Sequence, residues 1–307
     1  MFRVAICLCI FTCTNLSAKV EDHFKPALNK PAGLQMKNID FIYTINLDAR
    51  PEKFNKCLEQ LSPYSIEPYR FSAVNGWELT LEEINDVGVV YEPKMKTSLM
   101  GTSYLIGGDE EPFHNLINVP GRNYFCHCMS RGAIGIVLSH LSVLQDAYDS
   151  GYNTIWVMED DIQVIQNPHK ISKLIKKLDE LVGSKEWDVL FTDRDTKNQN
   201  GEYVPCKSYA KRPNFTPKDT SKFSKTKKTG PFIKIGARYG AYSMIVRRSG
   251  MRKILNFIKQ YKIFLPYDMD FYLPEDIKMY AVSEDVISTE PRAISDNGGP
   301  NYLNREP

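Results

Sequence analysis

The sequence predicts an α/β fold, a mostly parallel sheet flanked by helices, and three observations carry that prediction. Short apolar runs that read as buried strands, Phe41–Leu47, Thr154–Met158 and Trp187–Thr192, recur along the chain. Amphipathic helical stretches separate them, and such alternation implies parallel strands covered by crossover helices. Two of the strands end at once in acids, Glu159-Asp160-Asp161 and Asp193 with Asp195. In an open α/β sheet ligands bind at the carboxyl ends of the strands, so these acids belong at the rim of a crevice.

A polar leader ends at Asp40, and Phe41–Leu47 begins the sheet. Pro51 suits a first helical position, and Phe54, Cys57, Leu58 and Leu61 then fall at i, i+3, i+4 and i+7. A second strand is expected over Tyr69–Val74, closed by the Asn75-Gly76 turn. Residues 79–130, rich in Gly, Pro, Asn and Asp, read as an irregular insertion over the surface. Gly132–Ser150 gives the clearest helix: Ile134, Val137, Leu138, Leu141, Leu144 and Tyr148 form one apolar stripe, and Gly151 ends it. The acidic strand follows directly.

Asn167-Pro168 opens another helix, with Ile171, Leu174, Ile175, Leu178 and Leu181 inward and Gly183 as its stop. Lys207 to Lys228 carry eight basic residues and one acidic one, so residues 207–230 read as a mobile basic loop, either a solvated linker or a cover for phosphates. Ala241–Arg247 is a further strand and Ser249–Tyr261 a helix. An irregular C-terminal part begins at Pro266, with short strands near Met279–Val282 and Val286–Ser288.

With 307 residues, one domain over residues 38–296 is expected. A hydrophobic content of 42% and a charged content of 25% belong to an ordinary globular protein. The net charge of +2 gives no basis for a nucleic-acid partner, and none is expected. Arg3, the apolar run Val4–Cys13 and small residues up to Ala18 describe an export signal over residues 1–18, cleaved or kept as an anchor. The run is short for a bilayer span. The expectation is an exported or membrane-associated protein, with peripheral attachment at the cytoplasmic face of an inner membrane as the alternative. Outside that segment the cysteines are Cys57, Cys126, Cys128 and Cys206. Cys126-His127-Cys128 invites a zinc reading, but no second ligand pair stands at finger-like spacing. Buried or disulfide-bonded cysteines fit better, and four cysteines allow three pairings.

The three carboxylates Glu159, Asp160 and Asp161 repel one another and call for a cation. Oxygen ligation selects a hard ion, Mn²⁺ or Mg²⁺, and Mg²⁺ uses one or two carboxylates plus substrate phosphates. The alternative is a polar turn in which Asp160 or Asp161 caps its own backbone.

Four stretches together resemble glycosyltransferase family 25, which includes lipopolysaccharide-core and collagen galactosyltransferases. They are Ile45–Glu52 with Phe71–Gly76, Gly132–Gly135 with Leu138-Ser-His140, Val157–Asp161, and Gly240–Gly250. They occur in the family's order and cover roughly residues 40 to 290. The chain departs from the family where Ala49 replaces a second basic residue, and in the length of the 79–130 insertion. The resemblance implies a GT-A fold (Rossmann-like), a UDP-sugar donor, typically UDP-galactose, a divalent metal, and inversion at the anomeric carbon. The implied acceptor is a hydroxyl of a glycan, lipopolysaccharide-like, or of a protein.

On that basis Asp161 is the expected metal ligand, with Glu159 a second ligand or, with Asp160, a contact to ribose or metal-bound water. Asn46, Asp48 and Arg50 resemble the family's nucleotide-contact segment; an Asx turn and helix start is the other reading of them. Gly135 and His140 are candidate donor contacts, against a packing glycine and a structural histidine. Asp268, in a segment resembling the family's Pro-x-Asp, is the candidate general base, with Asp270 the alternate and Asp285 third. Two other functions stay open: a glycosyltransferase-like domain that binds sugars or partners without turnover, and a phosphohydrolase using the same acids.

Overall fold

In the computed structural model, residues 18–33, 36–96, 98–107, 111–198, 200–290, 293 and 295–298 are described. The export signal expected over residues 1–18 lies outside them except for Ala18. In the first half of the chain the strands are β1 (Phe41–Asn46), β2 (Tyr69–Ser72), β3 (Val89–Val90), β4 (Met100–Ser103), β5 (Phe113–Leu116) and β6 (Asn123–Cys126). The second half adds β7 (Thr154–Glu159), β8 (Ile162–Val164), β9 (Val189–Phe191), β10 (Lys227–Thr229), β11 (Phe232–Ile235), β12 (Ser243–Arg247), β13 (Met279–Val282) and β14 (Ile287–Thr289). The α-helices are α1 (Pro51–Leu61), α2 (Leu81–Val87), α3 (Arg131–Asp149), α4 (Lys170–Val182), α5 (Arg248–Tyr261) and the single turn α6 (Tyr267–Asp270).

The main sheet has the strand order β10-β11-β13-β9-β12-β7-β1-β2. From the pairings, β1, β2, β7, β9, β10 and β13 point one way, while β11 and β12 oppose them. The sheet is therefore mostly parallel, as expected of a GT-A-like fold. Every residue of β1 is buried, because both faces of the sheet are covered; that is why apolar residues occupy both faces of the strand instead of alternating with exposed polar ones.

Side-chain alternation splits the core into two layers. Phe41, Tyr43, Ile155, Val157, Met244 and Val246 face one side, where α3 and α5 pack. Ile42, Trp156, Met158, Leu190 and Ile245 face the other, beneath α1 and α4. Among the described residues no helix is long and apolar enough to cross a membrane.

Two sequence expectations are corrected. The 79–130 insertion is not irregular: α2 opens on a capping box formed by Thr80 and Glu83, and β3, β6, β4 and β5 form a separate four-stranded antiparallel sheet. Its strands are four residues or shorter, too short for a period-2 pattern to stand out. The basic segment 207–230 is only partly a solvated loop: Lys207, Lys211, Lys218, Lys225, Lys227 and Lys228 are exposed, but the segment is anchored to the core. Arg212 is fully buried and pairs with Asp270, and Phe223, also buried, stacks on Tyr209 with ring centroids 4.9 Å apart.

Candidate active site

The site lies where the parallel strands end. In register, Ile45 stands beside Glu159 and Asn46 beside Ser72, so β1, β2 and β7 release their chains at one edge. The antiparallel β12 begins at that same edge, and Glu159 N donates to Tyr242 O at 2.9 Å. Helix α3 also starts there, its Ser130 side chain accepting from Ala133 N at 3.0 Å. A helix N-terminus carries partial positive charge and free N–H groups, which suit an anion.

A cleft opens between these ends, lined by Asn46, Lys53, Trp77, Gly132, His140, Glu159, Asp160, Asp161, Asp296 and Asn297 among others. Asp296 is paired with Arg50 and Lys53, but Asp160 and Asp161 are poorly matched by cations. Asp160 accepts from Asn46 Nδ2 at 2.6 Å, yet burial pushes its carboxyl up to about 6. Asp161 is pushed up to about 7, first by burial and then by the charges of Glu159 and Asp160. Its Oδ1 is buried without a hydrogen-bond partner among the described residues. Glu159 Oε1 lies 3.0 Å from His140 Nε2.

That orphaned oxygen and the unmet negative charge fit a hard divalent cation. Among the described residues no three His, Cys, Asp or Glu side chains converge as a complete cage. A metal held by Asp161, with Glu159 as a second carboxylate, would take its other ligands from a phosphate-bearing substrate and water, the habit of Mg²⁺.

A second cleft adjoins the first. Gly240, Tyr242, Pro266, Tyr267 and Asp268 line it, and it shares Glu159, Ile136, Ser295 and Asn297 with its neighbour. Asp268 Oδ2 accepts from Gly240 N at 2.9 Å, and burial raises its carboxyl above the ordinary range. The His140 ring stacks on Tyr267 with centroids 4.1 Å apart and planes 11° from parallel, which ties the two clefts together.

The remaining candidates are placed elsewhere. Asp48 is exposed and engaged by Arg70 at 2.8 Å, Ser72 at 2.6 Å and Lys25 at 3.6 Å. Arg50 is buried, pairing with Glu52 at 2.6 Å and with Asp296. Gly135 serves packing: a Cβ there would come within 2.5 Å of Gly76 N and 2.6 Å of Val74 O. Asp270 is fully buried against Arg212. Asp285 is held by Lys197 at 2.5 Å and Arg194 N at 2.8 Å.

Sequence reasoning missed Lys53, Trp77, Asp296 and Asn297. Lys53 lies in the first turn after Pro51 and Trp77 directly follows the Asn75-Gly76 turn, so both had a local signal. Asp296 had none; it meets Arg50 and Lys53 across more than 240 residues, at 2.8 Å from Lys53 Nζ.

A family model described as glycosyltransferase family 25 (LPS biosynthesis protein) matches residues 39–272. The chain belongs to glycosyltransferase family 25. It is 23% identical over 183 residues to a glycosyltransferase 25 family member of Drosophila pseudoobscura pseudoobscura, covering 60% of this chain and 25% of that protein. It is 25% identical over 156 residues to human procollagen galactosyltransferase 2, covering 50% and 21%. Similarity extends to a mouse protein named inactive glycosyltransferase 25 family member 3, 23% identical over 173 residues, covering 56% and 25%. The chain spans about a quarter of the length of these family 25 relatives.

Proposed function

We propose that this family 25 chain transfers a hexose, galactose by family resemblance, from a UDP-sugar to a hydroxyl of a glycan or protein acceptor, with inversion. The observation that carries this reading is the pair of clefts meeting at Glu159, acidic and cation-seeking on one side, with a raised carboxylate, Asp268, on the other. Two substrates that must react face to face need such adjoining sites.

On the donor side Asp161 and Glu159 would hold Mn²⁺ or Mg²⁺, which supplies Lewis-acid stabilisation of the charge growing on a leaving diphosphate. Lys53 and the α3 N-terminus face the same space and add positive potential for the phosphates. Asn46 holds Asp160 in place through its 2.6 Å hydrogen bond. On the acceptor side Asp268 takes the proton of the attacking hydroxyl, and burial raises its carboxyl, which makes it a stronger base than an ordinary carboxylate. As in the sequence reading, the chain is proposed to act after export or at a membrane surface.

One observation favours the second reading, sugar or partner binding without turnover. Ser295–Asn297 pack over the donor-side cleft, and the free volume there is about 100 Å³, against roughly 300–1,000 Å³ for small-molecule sites. Transfer therefore requires residues 295–297 to give way as donor binds. Some relatives also carry "inactive" in their names. The deciding experiment offers the full chain UDP-galactose and other nucleotide sugars, with Mn²⁺ or with a chelator, and follows UDP release and thermal shift. Metal-dependent UDP release supports transfer. A thermal shift without release supports the binding reading, and neither response overturns both.

A further inference from the structure

We propose that Cys126 and Cys128 form a redox-active dithiol beside the Asp268 cleft, closing to a disulfide by exchange with a small-molecule disulfide such as oxidised glutathione. Strand β6 ends at Cys126 and the chain turns at once, Met129 N donating to Cys126 O at 3.0 Å. The turn brings the two sulfurs to 3.1 Å, outside the ~2.05 Å of a bonded pair but adjacent. Both flanks are anchored: Cys126 N donates to Phe264 O at 2.8 Å, and the Tyr104 hydroxyl donates to Met129 O at 3.2 Å. The first anchor joins this turn to the segment that leads into Asp268.

The two thiols divide the work. Cys128 is exposed and Cys126 buried, so only Cys128 meets a partner from solution. The hydrogen bond from Cys126, helped by His127, pulls the Cys128 thiol down to about 6, which leaves it largely thiolate at neutral pH and reactive. The same hydrogen bond and burial push the Cys126 thiol up. The part of that restraint due to the hydrogen bond and charge of Cys128 is lifted once its sulfur is in a mixed disulfide, while burial remains. Elsewhere, burial pushes Cys57 up to about 12, and it stays inert. A zinc site is disfavoured, because no group of three metal-binding side chains converges here among the described residues.

The chemistry balances in two exchanges. The Cys128 thiolate attacks one sulfur of oxidised glutathione, forming a mixed disulfide and expelling a glutathione thiolate. Cys126 then loses its proton to solvent and attacks the Cys128 sulfur, expelling the second glutathione thiolate. The Cys128 thiolate and the Cys126 thiol are oxidised by two electrons, one glutathione disulfide is reduced to two thiols, and the two glutathione thiolates take up the proton released by Cys126 and one from solvent.

The test equilibrates the full chain in glutathione buffers from reducing to oxidising, quenches with acid, alkylates after unfolding, and reads each cysteine by peptide mass. The expected result is a transition in which Cys126 and Cys128 lose alkylation together, while Cys57 and Cys206 keep it. Cys126→Ser should stop at a glutathione adduct on Cys128. Cys128→Ala should leave Cys126 reduced throughout, with a melting temperature equal to that of the reduced parent, which guards against a folding artefact. The proposal is overturned if both thiols remain alkylatable in the most oxidising buffer, if the parent chain halts at the mixed disulfide, or if either cysteine pairs with Cys57 or Cys206.

Discussion

Strands β7 and β9 run parallel, both flank β12, and both run out into acids at the same edge of the sheet, yet their carboxylates are in opposite situations. After β9, Asp193 is fully buried with both oxygens partnered, by Arg238, by the Tyr242 hydroxyl and by Ser288 Oγ at 3.0 Å, although burial still raises its carboxyl. After β7, Asp160 and Asp161 sit beside Glu159; among the described residues no arginine pairs with either, and an oxygen of Asp161 has no partner. Acids at a strand end are thus not by themselves a site. What marks a site is charge that the fold has left unmet, because a ligand can then do what no side chain does.

The largest expected effect breaks the answered side. Asp193→Asn leaves the Arg238 guanidinium buried without its counter-charge, and losing one partner of such a pair costs about 3–5 kcal/mol. Urea denaturation of the variant should show that loss, whereas Asp161→Asn should cost nothing and even stabilise the metal-free chain by relieving repulsion. Equal destabilisation by both would erase the distinction between the two strand ends.

The same contrast recurs two residues apart in α6. Asp268 faces a cleft and Asp270 is sealed against Arg212. Asp268→Asn should therefore lower transfer by roughly 10²–10⁴, the usual worth of a general base, while UDP and Mn²⁺ affinities hold. Asp270→Asn should instead lower stability. Near-normal turnover in Asp268→Asn would move the proton-accepting role elsewhere.

A smaller effect is expected from Asp161→Asn on ligands. Calorimetry should show Mn²⁺ affinity reduced by at least roughly 10–100-fold, the range for losing a residue that only orients a metal ligand, with UDP binding losing its dependence on metal. Unchanged metal-dependent UDP binding would dissociate the acidic triplet from the donor.

Much of this architecture was legible because it is local. The run Phe41–Asn46, the α3 stripe and the acids after Met158 each state their place within a few residues. Asp193 and Asp161 looked alike in sequence, since what separates them, Arg238 in one case and its absence in the other, is set by the antiparallel return of β12. The pairing of Arg212 with Asp270 was hidden for the same reason: a basic segment reads as solvated until a buried acid is found for its arginine. Arg50, an expected nucleotide contact, pairs with Asp296 in the segment over the cleft, a partner more than 240 residues away that its local sequence does not announce. Partner assignments of this kind depend on topology, which periodicity does not encode.

The subtlest expected effect asks whether the unmet charge of Cys128 obeys the rule drawn from the strand ends, that a group's reactivity follows from what its neighbours supply. Cys128 is held down to about 6 chiefly by the hydrogen bond from Cys126. Removing that donor with Cys126→Ala should move the Cys128 titration up toward the ordinary value of about 8.5. Around pH 6 this cuts the thiolate fraction by on the order of 100-fold, but a more basic thiolate is also intrinsically more nucleophilic, with a Brønsted slope of about 0.4–0.5. The two effects oppose, and the net fall in the iodoacetamide alkylation rate of Cys128 near pH 6 should be roughly tenfold; above about pH 9, where both forms are ionised, the order reverses and the variant's more basic thiolate should react roughly tenfold faster. The measurement is the pH–rate profile of Cys128 modification followed by peptide mass. An unshifted profile in Cys126→Ala would mean that His127 and the surrounding backbone, not the neighbouring thiol, hold the charge, and would remove the asymmetry on which the ordered two-step exchange depends.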